Sequence, residues 1–313
     1  LKKKSSHNYS TRGSEPSAID DKSRRIIFSG TGTSEGVPRL SCLTQTDSRC
    51  QVCFDAIHVP SSCNRRRNTG ILIQVPSPEG TRTIAIDVGK FFYHSALELF
   101  PKHNLRRLDA VILTHDHFDA IGGLDDLRDW TGNVLNKDEP LPVYLSQKTF
   151  DVVQRMFPYL VNTNASTGSG YVPRLDFRII DPDNAAPFVV HGLQITPFLV
   201  EHGPNYFCGA FRFGKVAYLS DCSAIPDAAR EHLRDVDLLI LDTLWDRPEC
   251  HISHFGIEQA LNEVSTGLGH GTENRPTKTL LTGMNHRFDH HSTNQTLVER
   301  GFTDVSLACD GLA

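Results

Sequence analysis

The stretch Ala110-Val-Ile-Leu-Thr-His115-Asp-His117-Phe-Asp119 runs from a short aliphatic segment into two imidazoles and a carboxylate. The aliphatic part has the length of a buried strand and is too short for a helix. The polar part therefore sits at the C-terminal mouth of a sheet strand. Two histidines two residues apart, followed by an aspartate, form a ligand set suited to metal-assisted hydrolysis.

Three further segments end an apolar run on a ligand-type residue. They are Leu199-Val-Glu-His202, Ala217-Tyr-Leu-Ser-Asp221 and Leu281-Thr-Gly-Met-Asn-His286. One histidine after a strand is usually structural. Four such segments in one chain point to a shared metal site.

Around these segments the pattern predicts strands at 25–28, 70–75, 83–86, 109–113, 143–146, 177–180, 188–190, 193–200, 207–213, 215–219, 237–241, 279–281 and 305–308. Helices are expected at 91–100, stopped by Pro101, and at 122–130, 147–157 and 256–264. Strands dominate both halves with helices between them. This predicts an α/β fold, two packed mixed sheets with flanking helices, as one domain over 25–313. Residues 162–170 are rich in Asn, Ser, Thr and Gly and read as a loop near the site. Residues 1–24 are polar and partly basic, a disordered tail or the remnant of an organelle transit segment.

The 313 residues carry a net charge of −5, with 39% hydrophobic and 22% charged residues. That balance speaks against extensive nucleic-acid binding. No apolar run approaches the length of a membrane span. The eight cysteines lack the dense spacing of a disulfide scaffold, so reduced thiols in the cytoplasm are expected, with a mitochondrial or plastid location as the alternative. Cys42-x7-Cys50-x2-Cys53 offers three thiolates for a structural zinc, whereas Cys63, Cys208, Cys222, Cys250 and Cys309 read as core thiols. Gly30–Gly36 is turn-rich but lacks a phosphate-loop or dinucleotide ending. Arg65-Arg66-Arg67 reads as a solvated charged face, with phosphate contact as the alternative.

The order His-x-His-x-Asp, then His202, then Ser220-Asp221-Cys222 resembles the metallo-β-lactamase superfamily over roughly residues 25–310. Its fold would be an αββα sandwich. The opening Gly30-Thr-Gly-Thr-Ser-Glu-Gly-Val-Pro38 and the cysteine cluster resemble the PhnP-like phosphodiesterase branch, which is related to RNase Z. The resemblance implies that His115, His117 and His202 hold one metal. It implies that Asp221 bridges to a second or completes the first, with Asp119 on the second. It also implies His286 as the fourth ligand of the structural zinc, and His254 as the proton donor to the leaving group, with His251 as second choice. Asp119 would orient the water or accept its proton.

Two of the family's second-metal histidines are replaced, by Ala120 and Gly283. Either one catalytic ion suffices, or nearby groups rebuild the second site. The candidates are His290 and, less favoured than a helix-terminal role, Asp125 or Asp126. The cofactors expected are one or two catalytic zinc ions, with manganese as an alternative, and one structural zinc. The expected activity is hydrolysis of a small phosphate diester, a cyclic one included. The alternatives are an RNase Z-like nuclease, a thioester or lactam hydrolase, and a non-catalytic metal binder. No membrane partner is expected, and a homodimer is left open.

Overall fold

The computed structural model describes residues 24–47, 50–131, 139–162, 168, 170–246 and 251–313. The expectations for residues 1–23, for most of the 162–170 loop and for Cys250 lie outside these residues.

The first sheet is laid down in chain order: β1 (Arg25–Gly30), β2 (Gly70–Val75), β3 (Arg82–Ile86), β4 (Ala110–Ile112), β5 (Leu141–Leu145) and β6 (Leu175–Ile179). Strands β1 to β3 pair antiparallel and β3 to β6 parallel. The second sheet repeats that plan with β7 (Phe188–Val190), β8 (Leu193–Glu201), β9 (Phe207–Phe213), β10 (Val216–Leu219), β11 (Leu238–Asp242), β12 (Lys278–Thr282) and β13 (Val305–Leu307). Here β7 to β10 are antiparallel and β10 to β13 parallel.

The strands are apolar on both faces because both faces are covered. In β2, Ile71, Ile73 and Val75 enter the layer between the sheets, where Phe211, Tyr218 and Ile240 meet them. Leu72 faces the other way, into a cluster under the helices at Phe92–Lys102 and Gln147–Met156. On the second sheet Ile240 points inward, while Leu239 and Leu241 pack outward with Ala260, Leu261 and Val264 of the helix Ile257–Ser265. The result is the four-layer αββα sandwich.

The structure departs from or adds to the local sequence reading in several places. The predicted 122–130 helix is broken into Phe118–Ile121, a 3-10 turn at Leu124–Leu127, and Arg128–Thr131. The cause is Gly123, whose N–H donates to the Val88 carbonyl at 2.7 Å; a Cβ there would lie 2.5 Å from the Gly89 carbonyl oxygen. Short helices Leu40–Thr44 and Gln51–His58 fill the cysteine-rich segment. A helix at His290–Glu299 escapes the periodicity reading because its sequence is polar. It is started by Asp289, which accepts the Ser292 N–H at 2.9 Å. Last, Arg66 is neither solvated nor free for phosphate. It is 1% exposed and donates to the carbonyls of Asn285 at 3.0 Å and Phe288 at 2.8 Å. Arg65 and Arg67 pair with Glu98.

Candidate metal centre and active site

The C-terminal ends of β4, β8, β10 and β11 open on the same side of the sandwich, where loops leave the sheets. From these ends come His115 and His117, His202, Asp221 and Asp242. Donor atoms of His115, His117, His202 and Asp221 all lie within 4.8 Å of one another. His115 Nε2 is 3.2 Å from Asp221 Oδ2, and His202 Nε2 is 3.1 Å from His117 Nδ1.

The hydrogen bonds around this set leave lone pairs facing inward. His202 Nδ1 donates to the Ser253 carbonyl at 2.7 Å, so Nε2 carries the lone pair. His115 Nδ1 is 2.8 Å from the Thr114 hydroxyl, which itself donates to buried Asp87 at 2.8 Å. His115 Nε2 is buried without a hydrogen-bond partner. Burial and the neighbouring imidazoles hold His115 well below its ordinary pKa, and bring His202 down to about 3. Burial pushes the Asp221 carboxyl upward. Imidazoles aimed at one another around a buried carboxylate make a set that is complete only with a cation between them. These residues fit a zinc-type ion.

Asp119 lines the adjoining cavity of about 710 Å³, together with Lys90, Phe118, Trp245, His251, His254 and Gly283. On the other side of His115, Tyr206 stacks on His117 at 4.9 Å. Its hydroxyl bonds Asp116, and Lys148 lies 3.5 Å from its ring centre.

The two replaced family positions behave differently. Ala120 is 2% exposed and packs in the apolar cluster under the first sheet. Gly283 has φ +76°, and a Cβ there would lie 2.4 Å from Asp242 Oδ1. Asp242 is fully buried. Its Oδ2 accepts from the Cys222 N–H at 3.0 Å and pairs with His254 Nδ1 at 2.7 Å. Burial would lower the His254 pKa, but Asp242 outweighs it and raises the imidazole to about 9. Asp221, Asp242 and His254 also bring donor atoms within 4.8 Å of one another. Sequence reasoning missed Asp242. The signal was there, since Leu238-Leu-Ile-Leu-Asp242 ends an apolar run on a carboxylate as the other segments do.

His290 is not brought to the catalytic ligand set. It does not line the catalytic cavity; it lies beside Cys63 and Cys309. The reason is that the loop after β12 is fastened by Arg66 and Asn64, with Asn64 accepting the His290 N–H at 2.8 Å. Asp125 is bound by Arg128 at 2.6 and 2.7 Å and by the Tyr159 hydroxyl at 3.0 Å. Neither it nor Asp126 lines the cavity.

A second ligand set joins Cys42, Cys50, Cys53 and His286. His286 Nδ1 is 3.4 Å from both Cys42 Sγ and Cys50 Sγ, and Cys53 Sγ accepts the Arg39 N–H at 3.3 Å. Burial raises the Cys53 thiol to about 12. Three sulfurs and one imidazole from segments far apart in sequence fit a closed tetrahedral zinc. Cys208 and Cys222 lie in the core, as read from the sequence. Among the described residues, no helix is long and apolar enough to cross a membrane.

Residues 82–270 match the β-lactamase superfamily domain. An octanoyltransferase of Porphyromonas gingivalis is 33% identical over 240 residues, 77% of this chain and 43% of that protein, so the chain spans less than half of it. The coenzyme PQQ synthesis protein B of Xanthomonas oryzae pv. oryzae is 26% identical over 281 residues, 82% of this chain and 83% of that protein. Among solved structures, a diphosphatase from the PhnP family superposes with a TM-score of 0.74 at 27% identity, covering 92% of this chain and 96% of that one. The strand-end ligand set, the two-sheet sandwich and these matches agree: the chain belongs to the metallo-β-lactamase superfamily and is PhnP-like within it.

Proposed function

We propose that the chain is a metal-dependent hydrolase acting on a small phosphate diester, with one catalytic ion held by His115, His117, His202 and Asp221. The observation that carries this is the Asp242–His254 pair at 2.7 Å beside that ligand set. The ion would supply Lewis-acid activation of water and of a phosphoryl oxygen. Asp119 stands on the cavity wall to orient the water and take its proton. With His254 Nδ1 held by Asp242, Nε2 is the nitrogen left to give a proton to the departing alkoxide. The Asp242 carboxylate fixes that ring and its tautomer. Lys90 on the same wall offers a cation to the phosphate.

A single catalytic ion is favoured because Asp242 occupies the place a histidine at position 283 would need, and Ala120 is committed to the core. The likeness to a PhnP-family diphosphatase supports phosphoester chemistry.

The test is hydrolysis of bis-p-nitrophenyl phosphate, a cyclic nucleotide diester and a thioester by the zinc-loaded protein and by Asp119→Asn. Diester turnover, lost in the variant with its metal retained, is expected. Thioester turnover without diester turnover would overturn the reading.

A further inference from the structure

Cys63, His290 and Cys309 come from three distant parts of the chain, yet their donor atoms lie within 4.8 Å of one another. None of them lines the catalytic cavity. Each backbone is pinned. Asn64, next to Cys63, accepts the His290 N–H at 2.8 Å and donates to Asp289 at 2.8 Å. Cys309 precedes a segment tied to β1, with Gly311 N–H on the Phe28 carbonyl at 2.8 Å and Phe28 N–H on the Leu312 carbonyl at 2.9 Å.

The imidazole's tautomer decides what this cluster can do. Asn294 Oδ1 accepts the Leu307 N–H at 2.8 Å, which fixes its amide. The amide nitrogen therefore faces His290 Nε2, at 3.2 Å, and Nε2 must accept. The ring hydrogen is then on Nδ1, which is buried without a hydrogen-bond partner and has the cluster's sulfurs as neighbours. A cation would need the opposite tautomer, with Nε2–H set against the Asn294 amide hydrogens. The arrangement suits a thiolate rather than a metal. The neighbouring Cys309 thiol and then the His290 imidazole bring the Cys63 thiol down to about 4 against its burial, while the Cys309 thiol is raised by its neighbour.

We propose that Cys63 and Cys309 form a redox-active dithiol, with Cys63 the nucleophile, His290 its positioning residue and a hydroperoxide the oxidant. The Cys63 thiolate attacks the terminal peroxide oxygen. The O–O bond breaks, the alkoxide leaves, and Cys63 becomes a sulfenic acid. The alkoxide takes the Cys309 proton. Cys309 sulfur then attacks Cys63 sulfur, the S–O bond breaks and hydroxide leaves. Two sulfurs lose two electrons in all, and the peroxide is reduced to an alcohol and hydroxide. Cys63 itself is partly exposed, and Cys309 and His290 line a neighbouring cavity of about 810 Å³ walled by Phe28, Leu238 and Leu280. The bridge would tie the loop before β2, in the first sheet, to the end of β13, in the second.

The test is hydrogen peroxide treatment of the zinc-loaded protein, followed by peptide mapping without reduction. A Cys63–Cys309 linked peptide is expected to form ahead of any other pairing. In Cys309→Ser, dimedone should capture the sulfenic acid on Cys63. In His290→Gln, alkylation of Cys63 at neutral pH should slow about tenfold, with that of Cys309 unchanged. Oxidation of other cysteines with no Cys63–Cys309 peptide overturns the proposal. So does the loss of an additional zinc equivalent on Cys63→Ser, which would make the cluster a cation site.

Discussion

Asp242 Oδ1 stands 2.4 Å from where a side chain at Gly283 would begin. Gly283 carries no side chain, and the carboxylate of the neighbouring strand end fills that space. Gly283 lies at the end of β12 and Asp242 at the end of β11, and the two strands pair in parallel with Asp242 opposite Thr282.

Restoring a histidine at position 283 is therefore expected to damage the site. Gly283→His must displace Asp242 and adopt φ +76°, and overpacking of this kind costs about 1–3 kcal/mol. Denaturant unfolding should show the loss, and elemental analysis should show no added metal. A stable variant carrying one more ion would contradict the single-ion reading.

His254→Gln and Asp242→Asn should separate leaving groups. General-acid assistance is worth about 10²–10⁴ in rate, and a p-nitrophenolate needs little of it. The kcat for a diester with an alkyl leaving group should fall by that order. The kcat for bis-p-nitrophenyl phosphate should fall far less. Equal losses on both substrates would assign the pair to metal binding instead.

Removing a thiolate from the other ligand set should leave the catalytic ion in place. Cys50→Ala is expected to lower zinc by about one equivalent per chain and to lower the melting temperature, because zinc binding free energy is folding free energy at such sites. Arg39 and Asn285 line the cavity beside Cys53 and His286, so KM should rise more than kcat falls.

His232 gives an acid-side dependence of stability. It stacks on Phe198 at 5.1 Å, and burial and then Arg212 depress its pKa. A depressed folded pKa means the stability is present above the unfolded value of about 6.5 and is lost as pH falls through the folded one. His232→Phe should keep the stacking and lose less stability than wild type between about pH 7.5 and about pH 5.5. Parallel pH profiles for the two proteins would sink this assignment.

Local pattern alone locates the strands and, at the first metal motif, the point where one of them stops. Ile71, Leu72 and Ile73 announce a strand covered on both faces, and Thr114-His115-Asp116-His117 announces where β4 stops. These are local patterns, set by a two-residue period and by the length of an apolar run. Polar helices such as His290–Glu299 escaped because a cap and a few tertiary contacts, rather than periodicity, hold them.

Which strand ends face one another is set by long-range sheet pairing. The glycine at position 283 is plain in the sequence, but its consequence depends on Asp242, brought beside it by parallel pairing of β11 and β12. In the same way Cys63, His290 and Cys309 look unrelated until β13, the 290–299 helix and the loop before β2 meet. Ligand type is a property of one residue. A site is a property of distances between residues far apart in the chain, and those distances are fixed by sheet register and core packing.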